Sequence, residues 1–124
     1  MTQPLALVLY EKLLPGSQLV NRLQDLKYKV QTLPDASLLV EVALQAGPLV
    51  LFADLESTKT NVCNAIERLK KEPRTSHLPV IAFGADSKPE LQAAGRAAGA
   101  TLVVSDTALL THLPQFLEQA LQVE

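Results

Sequence analysis

At 124 residues, with 48% hydrophobic and 19% charged side chains, the chain is large enough to bury a core and too apolar to be disordered. A net charge of −2 gives it no basic surplus for non-specific contact with a phosphate backbone, which argues against a nucleic-acid partner. One cysteine excludes an internal disulfide framework, and the N-terminal stretch is neither a secretory leader nor long enough to span a bilayer, so one soluble cytoplasmic domain over residues 1–124 is expected, with no membrane contact.

Along the chain, one pattern occurs five times. Residues 5–10, Leu-Ala-Leu-Val-Leu-Tyr, form a compact apolar run that reads as a first strand. Ser17, behind Pro15-Gly16, is the expected N-cap of a helix carrying Leu19, Val20, Leu23 and Leu26 inward. Residues 29–33 make a short second strand, closed by Pro34-Asp35, and Leu38, Leu39, Val42, Ala43 and Ala46 mark the next helix, ending on Gly47. Residues 49–54 are the most informative segment: five apolar residues opened by Gly47-Pro48 and stopped by the carboxylate of Asp54. Such a run reads as a strand buried on both faces, as in a parallel sheet covered by helices.

Val62, Ala65, Ile66 and Leu69 form the stripe of a third helix, with Arg68, Lys70 and Lys71 toward its C-terminus, where the macrodipole favours cations. A polar connection over 72–77, read as loose, leads to a fourth strand at 79–83. Ser87-Lys88-Pro89-Glu90 is a capping box that opens a helix through Leu91, Ala94 and Ala97 to Gly99. Residues 101–104 are the fifth strand. A last helix begins near 111–113, with Pro114 in its first turn and Phe116, Leu117, Ala120 and Leu121 facing inward. Strands alternating with helices of this length predict an α/β fold: one doubly wound five-stranded parallel sheet with five helices and right-handed crossovers. Ligands collect outside the carboxyl ends of strands in such sheets, which puts Asp54 where chemistry is expected.

The five units together resemble the response-regulator receiver family over essentially the whole chain. Residues 48–55 are similar to the family's proline-led third strand ending on an acid. His77-Leu78-Pro79-Val80-Ile81 is similar to its entry into strand four, and residues 94–100, ending Ala97-Ala98-Gly99-Ala100, to the segment before strand five. The resemblance implies the flavodoxin-like strand order 2-1-3-4-5 and makes Asp54 the phosphoacceptor position.

Set against the same family, the chain departs at four positions. Two adjacent acids hold a magnesium ion at the end of the family's first strand; here Tyr10-Glu11 offers one carboxylate, so Glu11 and Asp54 are the only metal ligands the resemblance allows. A Ser or Thr ends strand four in the family; here it is Gly84. The strand-five lysine falls at Ser105, or at Asp106 with a one-residue gap. The switch aromatic on strand five is replaced by Leu102. Phosphoryl transfer depends on positioning and on neutralising three equatorial oxygens, so these losses add. The expectation is a degenerate or pseudo-receiver without cofactor, magnesium being the one candidate.

Other candidates have ordinary readings. Cys63 lies on a helix with no base beside it and is expected as a packing residue. His77 and His112 have no partner at helical spacing and make no metal site. Arg68, Lys70, Lys71 and Arg74 read as a solvated helix end, with an anion-binding spot as the outside reading. No glycine-rich phosphate loop occurs, and residues 11–16 lack the hydroxyls of a flavin-phosphate loop. The expected function is that of a stand-alone receiver-like interaction module in signalling, not an enzyme, docking on a histidine kinase or output protein. A homodimer through the fourth helix, fifth strand and last helix is the further partner expected, with Leu109, Leu110 and Leu113 as a candidate apolar patch. The competing reading is a genuine receiver phosphorylated on Asp54 by a histidine kinase.

Overall fold

The computed structural model of the chain describes residues 5–9, 13–33, 39–55, 62–84 and 89–122. In order these form β1 (Leu5–Leu9), α1 (Leu13–Asp25), β2 (Lys29–Leu33), α2 (Leu39–Ala46), β3 (Val50–Asp54), α3 (Val62–Lys71), β4 (Val80–Gly84), α4 (Pro89–Ala98), β5 (Leu102–Ser105), α5 (Asp106–Thr111) and α6 (Leu113–Gln122). All strand pairs are parallel and the order is β2-β1-β3-β4-β5, as the resemblance implied.

Strand alternation builds two cores, one on each face of the sheet. Leu7 and Leu9, Leu51 and Ala53, and Val80 and Ala82 point to the layer of α2, α3 and α4. Ala6 and Val8, Val50 and Phe52, and Ile81 and Phe83 point to the layer of α1, α5 and α6. β3 and β4 are buried along their whole length, the condition that removes polar alternation from a parallel strand. On α3 the stripe Val62, Ala65, Ile66 and Leu69 is buried as the spacing predicts. Truncating Ile66, which is fully buried, would cost about 2–5 kcal/mol.

Three helices end with a residue in the left-handed region. Gly47 (φ 59°) closes α2 with its N–H on the Ala43 carbonyl, and Pro48 follows. Gly99 (φ 111°) closes α4 in a Schellman pair, Ala100 N–H to the Gly95 carbonyl and Gly99 N–H to that of Arg96. α1 closes the same way, Tyr28 N–H to Leu23 and Lys27 N–H to Gln24, but the left-handed position is Lys27 (φ 71°).

The structure corrects several expectations. α1 begins at Leu13, so Ser17 lies inside the helix and is not its N-cap. Pro15 is tolerated because it falls in the first turn, where the backbone N–H has no intrahelical acceptor. Leu26 lies past the end of α1 and is 38% exposed. On α4 the inward stripe is Leu91, Gly95 and Ala98; Ala94 and Ala97 are exposed. Small residues gave no contrast from which to fix that phase. Of the capping box, Pro89 and Glu90 open α4, while Ser87 and Lys88 lie outside the described residues, as do Pro34, Asp35 and Leu38.

The five expected helices are present, and a sixth, α5, stands before the last. Leu109 and Leu113 are fully buried and Leu110 packs against the same core, so this segment is interior rather than an exposed patch. Nor is the stretch 72–77 loose. The buried Thr75 hydroxyl donates to the Leu69 carbonyl at 2.6 Å, and Lys70 Nζ donates to the Leu78 carbonyl at 2.6 Å. Burial holds the Lys70 ammonium below its usual pKa.

Candidate functional site at the carboxyl edge of the sheet

The register sets the geometry of this edge. Leu9 pairs with Ala53, one residue short of Asp54; Asp54 pairs with Phe83, and Phe83 with Val104. Gly84 pairs with Ser105 one step further out. The ends of three adjacent strands therefore bring Asp54, Gly84 and Ser105 to one rim. Asp54 is 3% exposed, one of two buried polar or charged side chains among the described residues. The Leu55 N–H donates to the Phe83 carbonyl at 2.9 Å, which carries the β3–β4 ladder past the acid and fixes its height above the sheet.

Gly84 is not imposed by sterics. A Cβ built there would stand 3.6 Å from Leu55 Cβ, an ordinary contact, and the backbone has no left-handed φ. Its carbonyl is approached by Gln92 Nε2 at 3.5 Å from α4. Ser105 has a definite role. Its extended backbone (φ −75°, ψ 155°) places Oγ to accept the Ala108 N–H at 3.1 Å, making it the N-cap of α5. Asp106 is the first residue of that helix. Sequence reasoning treated Ser105 as a missing lysine and overlooked the cap, although Ser-Asp-Thr-Ala is a legible helix start.

Tyr10 and Glu11 lie outside the described residues, so Asp54 is the described member of the expected carboxylate pair. No group of three or more His, Cys, Asp or Glu side chains suited to a metal ion occurs among the described residues. His77 is exposed in the α3–β4 connection; His112 is the C-cap of α5, its ring edge-on to Phe116 at 6.3 Å. Cys63 is half-buried against the core, and burial, with Glu67 adding to it, pushes its thiol pKa up, away from nucleophilic readiness. No described helix is long and apolar enough to cross a membrane.

Two clefts lie away from this rim, on the α2–α3 layer. The larger, about 320 Å³, is lined by Val40, Arg68, Lys71 and Glu72. The smaller, about 120 Å³, lies at the opposite end of the sheet from Asp54, among Gly47, Pro48, Arg74, Thr75 and His77.

No protein-family model and no curated protein matches the sequence. Solved structures do match. A candidate response regulator from Chloroflexus aurantiacus J-10-fl superposes with a TM-score of 0.90 at 17% identity, covering 98% of this chain and 100% of that one. Vibrio cholerae chemotaxis protein CheY4 gives 0.83 at 18% identity over 96% and 99% of the two chains. The receiver domain of NtrX from Brucella abortus gives 0.82 at 18% identity, again over 96% and 99%. The chain thus has the fold of response-regulator receiver domains.

Proposed function

We propose that this chain is a receiver-fold interaction module whose Asp54 pocket is not gated by phosphorylation. The observation that carries the reading is the Gly84–Ser105 pair at the rim. It presents no side-chain donor on β4, and on β5 a neutral hydroxyl, held in place as the acceptor of the Ala108 N–H, where the family has an ammonium. Losing one donor to a developing oxyanion costs about 3 kcal/mol of transition-state stabilisation; here Gly84 supplies no side-chain donor and Ser105 supplies a hydroxyl without a charge. Tyr10 in place of an acid weakens the cation site further, leaving Glu11 and Asp54 for an ion that prefers octahedral oxygen ligation. When bound, magnesium would neutralise phosphoryl charge beside Asp54; no cofactor is required by the interaction role, and no catalysis is assigned.

A partner signalling protein is the expected ligand. The face formed by α4, β5 and α6 supports this: β5 is an edge strand whose four residues are all half-exposed. A second copy of the chain on that face is the homodimer form of the same proposal, and light scattering after size exclusion tests it. A concentration-independent monomer would remove it.

Intact-mass analysis after incubation with acetyl phosphate and magnesium tests the main reading. No phosphoryl adduct is expected on the wild-type chain. An adduct that disappears in Asp54→Asn would replace this reading with that of a genuine phosphoacceptor, the alternative that the buried acid at the strand end favours.

A further inference from the structure

α2 and α3 form a seam on the sheet face opposite to α1, α5 and α6. α2 carries two polar residues, Glu41 and Gln45; Val40, Val42, Leu44 and Ala46 are all only half-buried. A helix apolar on nearly every side belongs in an interior, yet this one forms an outer layer. Beside it opens the 320 Å³ cleft, with Val40 on one wall and Arg68, Lys71 and Glu72 on the other.

The charge at this seam runs against the rest of the molecule. Four cations and one acid lie within residues 68–74, so this stretch carries +3 and the remainder of the chain −5. Two of the cations are engaged: Lys70 on the Leu78 carbonyl and Arg74 on Glu72 at 3.3 Å. Arg68 and Lys71 are exposed and, among the described residues, have no ion-pair partner. Three apart on α3, they are neighbours on one side of the helix and stand as a row along the cleft.

From this we infer that the α2–α3 cleft docks an acidic segment of a partner protein, an apolar side chain entering against Val40 while flanking carboxylates meet Arg68 and Lys71. A compact anion such as free phosphate fits less well. The cleft has an apolar wall at Val40 and includes the carboxylate of Glu72, which a single compact anion seated by Arg68 and Lys71 would have to face. An extended segment spaces its charges along the row and leaves room for Glu72. The acidic remainder of the surface repels the same ligand elsewhere, so charge steers it to this seam. The inference is independent of whether Asp54 is phosphorylated.

Fluorescence anisotropy with a labelled peptide of alternating glutamate and leucine residues tests it, the glutamine–leucine analogue serving as control. At low salt the acidic peptide is expected to bind about tenfold more tightly than the analogue, and raising salt to about 0.5 M should abolish the difference. Arg68→Glu with Lys71→Glu should weaken binding about tenfold or more, whereas Arg22→Glu on α1 should change it less than about twofold. Amide shifts in the wild-type protein should concentrate on residues 39–47 and 66–75, a readout that does not depend on any variant. Three results would each overturn the inference: no binding up to about 1 mM peptide, equal weakening by the α1 and α3 variants, or displacement by inorganic phosphate at concentrations matching the peptide's own.

Discussion

Ser105→Lys is the substitution that would return a cation to the rim, and the structure says what it removes. Ser105 Oγ satisfies the Ala108 N–H, one of the first four helix donors with no intrahelical partner. Replacing such a cap costs about 1 kcal/mol. α5 has six residues and is too short to sustain itself, while its Leu109 is fully buried in the core shared with Phe83 and Leu117. The cap loss is therefore felt as global stability rather than as local fraying. For a chain of this length, about 1 kcal/mol corresponds to a fall in Tm of about 4 °C. Thermal unfolding by circular dichroism should show Ser105→Lys and Ser105→Ala falling together, with Ser105→Asn close to wild type because it still caps. Exchange of the Ala108 amide should accelerate in the first two and not in the third. If Ser105→Ala melts with the wild type, or Ser105→Asn falls as far as Ser105→Lys, the residue is not held by its capping role and the reasoning fails.

Lys27→Gly should raise stability by about 0.5–1 kcal/mol, since a β-carbon at φ 71° costs about 1–2 kcal/mol and glycine returns only part of that as backbone entropy; urea unfolding reads the sign directly. Gly99→Ala should do the reverse by about 1–2 kcal/mol, because the new Cβ would occupy φ 111° and lie 3.2 Å from Lys70 Cγ. For Cys63, alkylation by iodoacetamide followed against pH should have its midpoint above the ordinary thiol value of 9.0, and Glu67→Gln should bring it part of the way back. The sign for stability follows: the unfolded thiol ionises first, so between 9.0 and the raised folded value the native chain holds more protons and loses stability as pH rises.

What the sequence revealed depended on contrast between neighbouring side chains. Val62, Ala65, Ile66 and Leu69 stand against Asn64, Glu67, Arg68, Lys70 and Lys71, so the phase of α3 could be read directly. α4 has Gln92, Ala93, Ala94, Gly95, Arg96 and Ala97 in a row, and its phase was set instead by Gly95, where α4 comes so close to Leu55 that an added Cβ would lie 3.1 Å from Leu55 Cδ2. That contact is tertiary and leaves no period behind. The start of α1 was hidden because Pro15-Gly16 signals a break, and only position within the first turn makes the proline harmless. Asp54 was legible because an apolar run stopping on an acid is rare inside a core. The cap at Ser105 could be read from Ser-Asp-Thr-Ala, but the six residues of α5 are too few to display a helical period that would have drawn attention to it.

The rim also shows how the side chains at such a site can change while the fold is kept. Gly84 and Ser105 hold their places through the strand ladder, with the Leu55 N–H on Phe83 and the β4–β5 pairing supplied by backbone groups that every residue carries. A side chain at 84 would meet Leu55 at ordinary distance, and a change at 105 costs one helix cap. Together these amount to about 1 kcal/mol against a domain stability of about 5–15 kcal/mol. Fold stability therefore leaves positions 84 and 105 nearly unconstrained, and the residues there are governed by what the rim is required to do. The α2–α3 seam lies under a different constraint. Lys70 ties its end of α3 to the Leu78 carbonyl, so the cations beside it are carried on a fixed frame, as a docking surface requires, whatever becomes of the chemistry at Asp54.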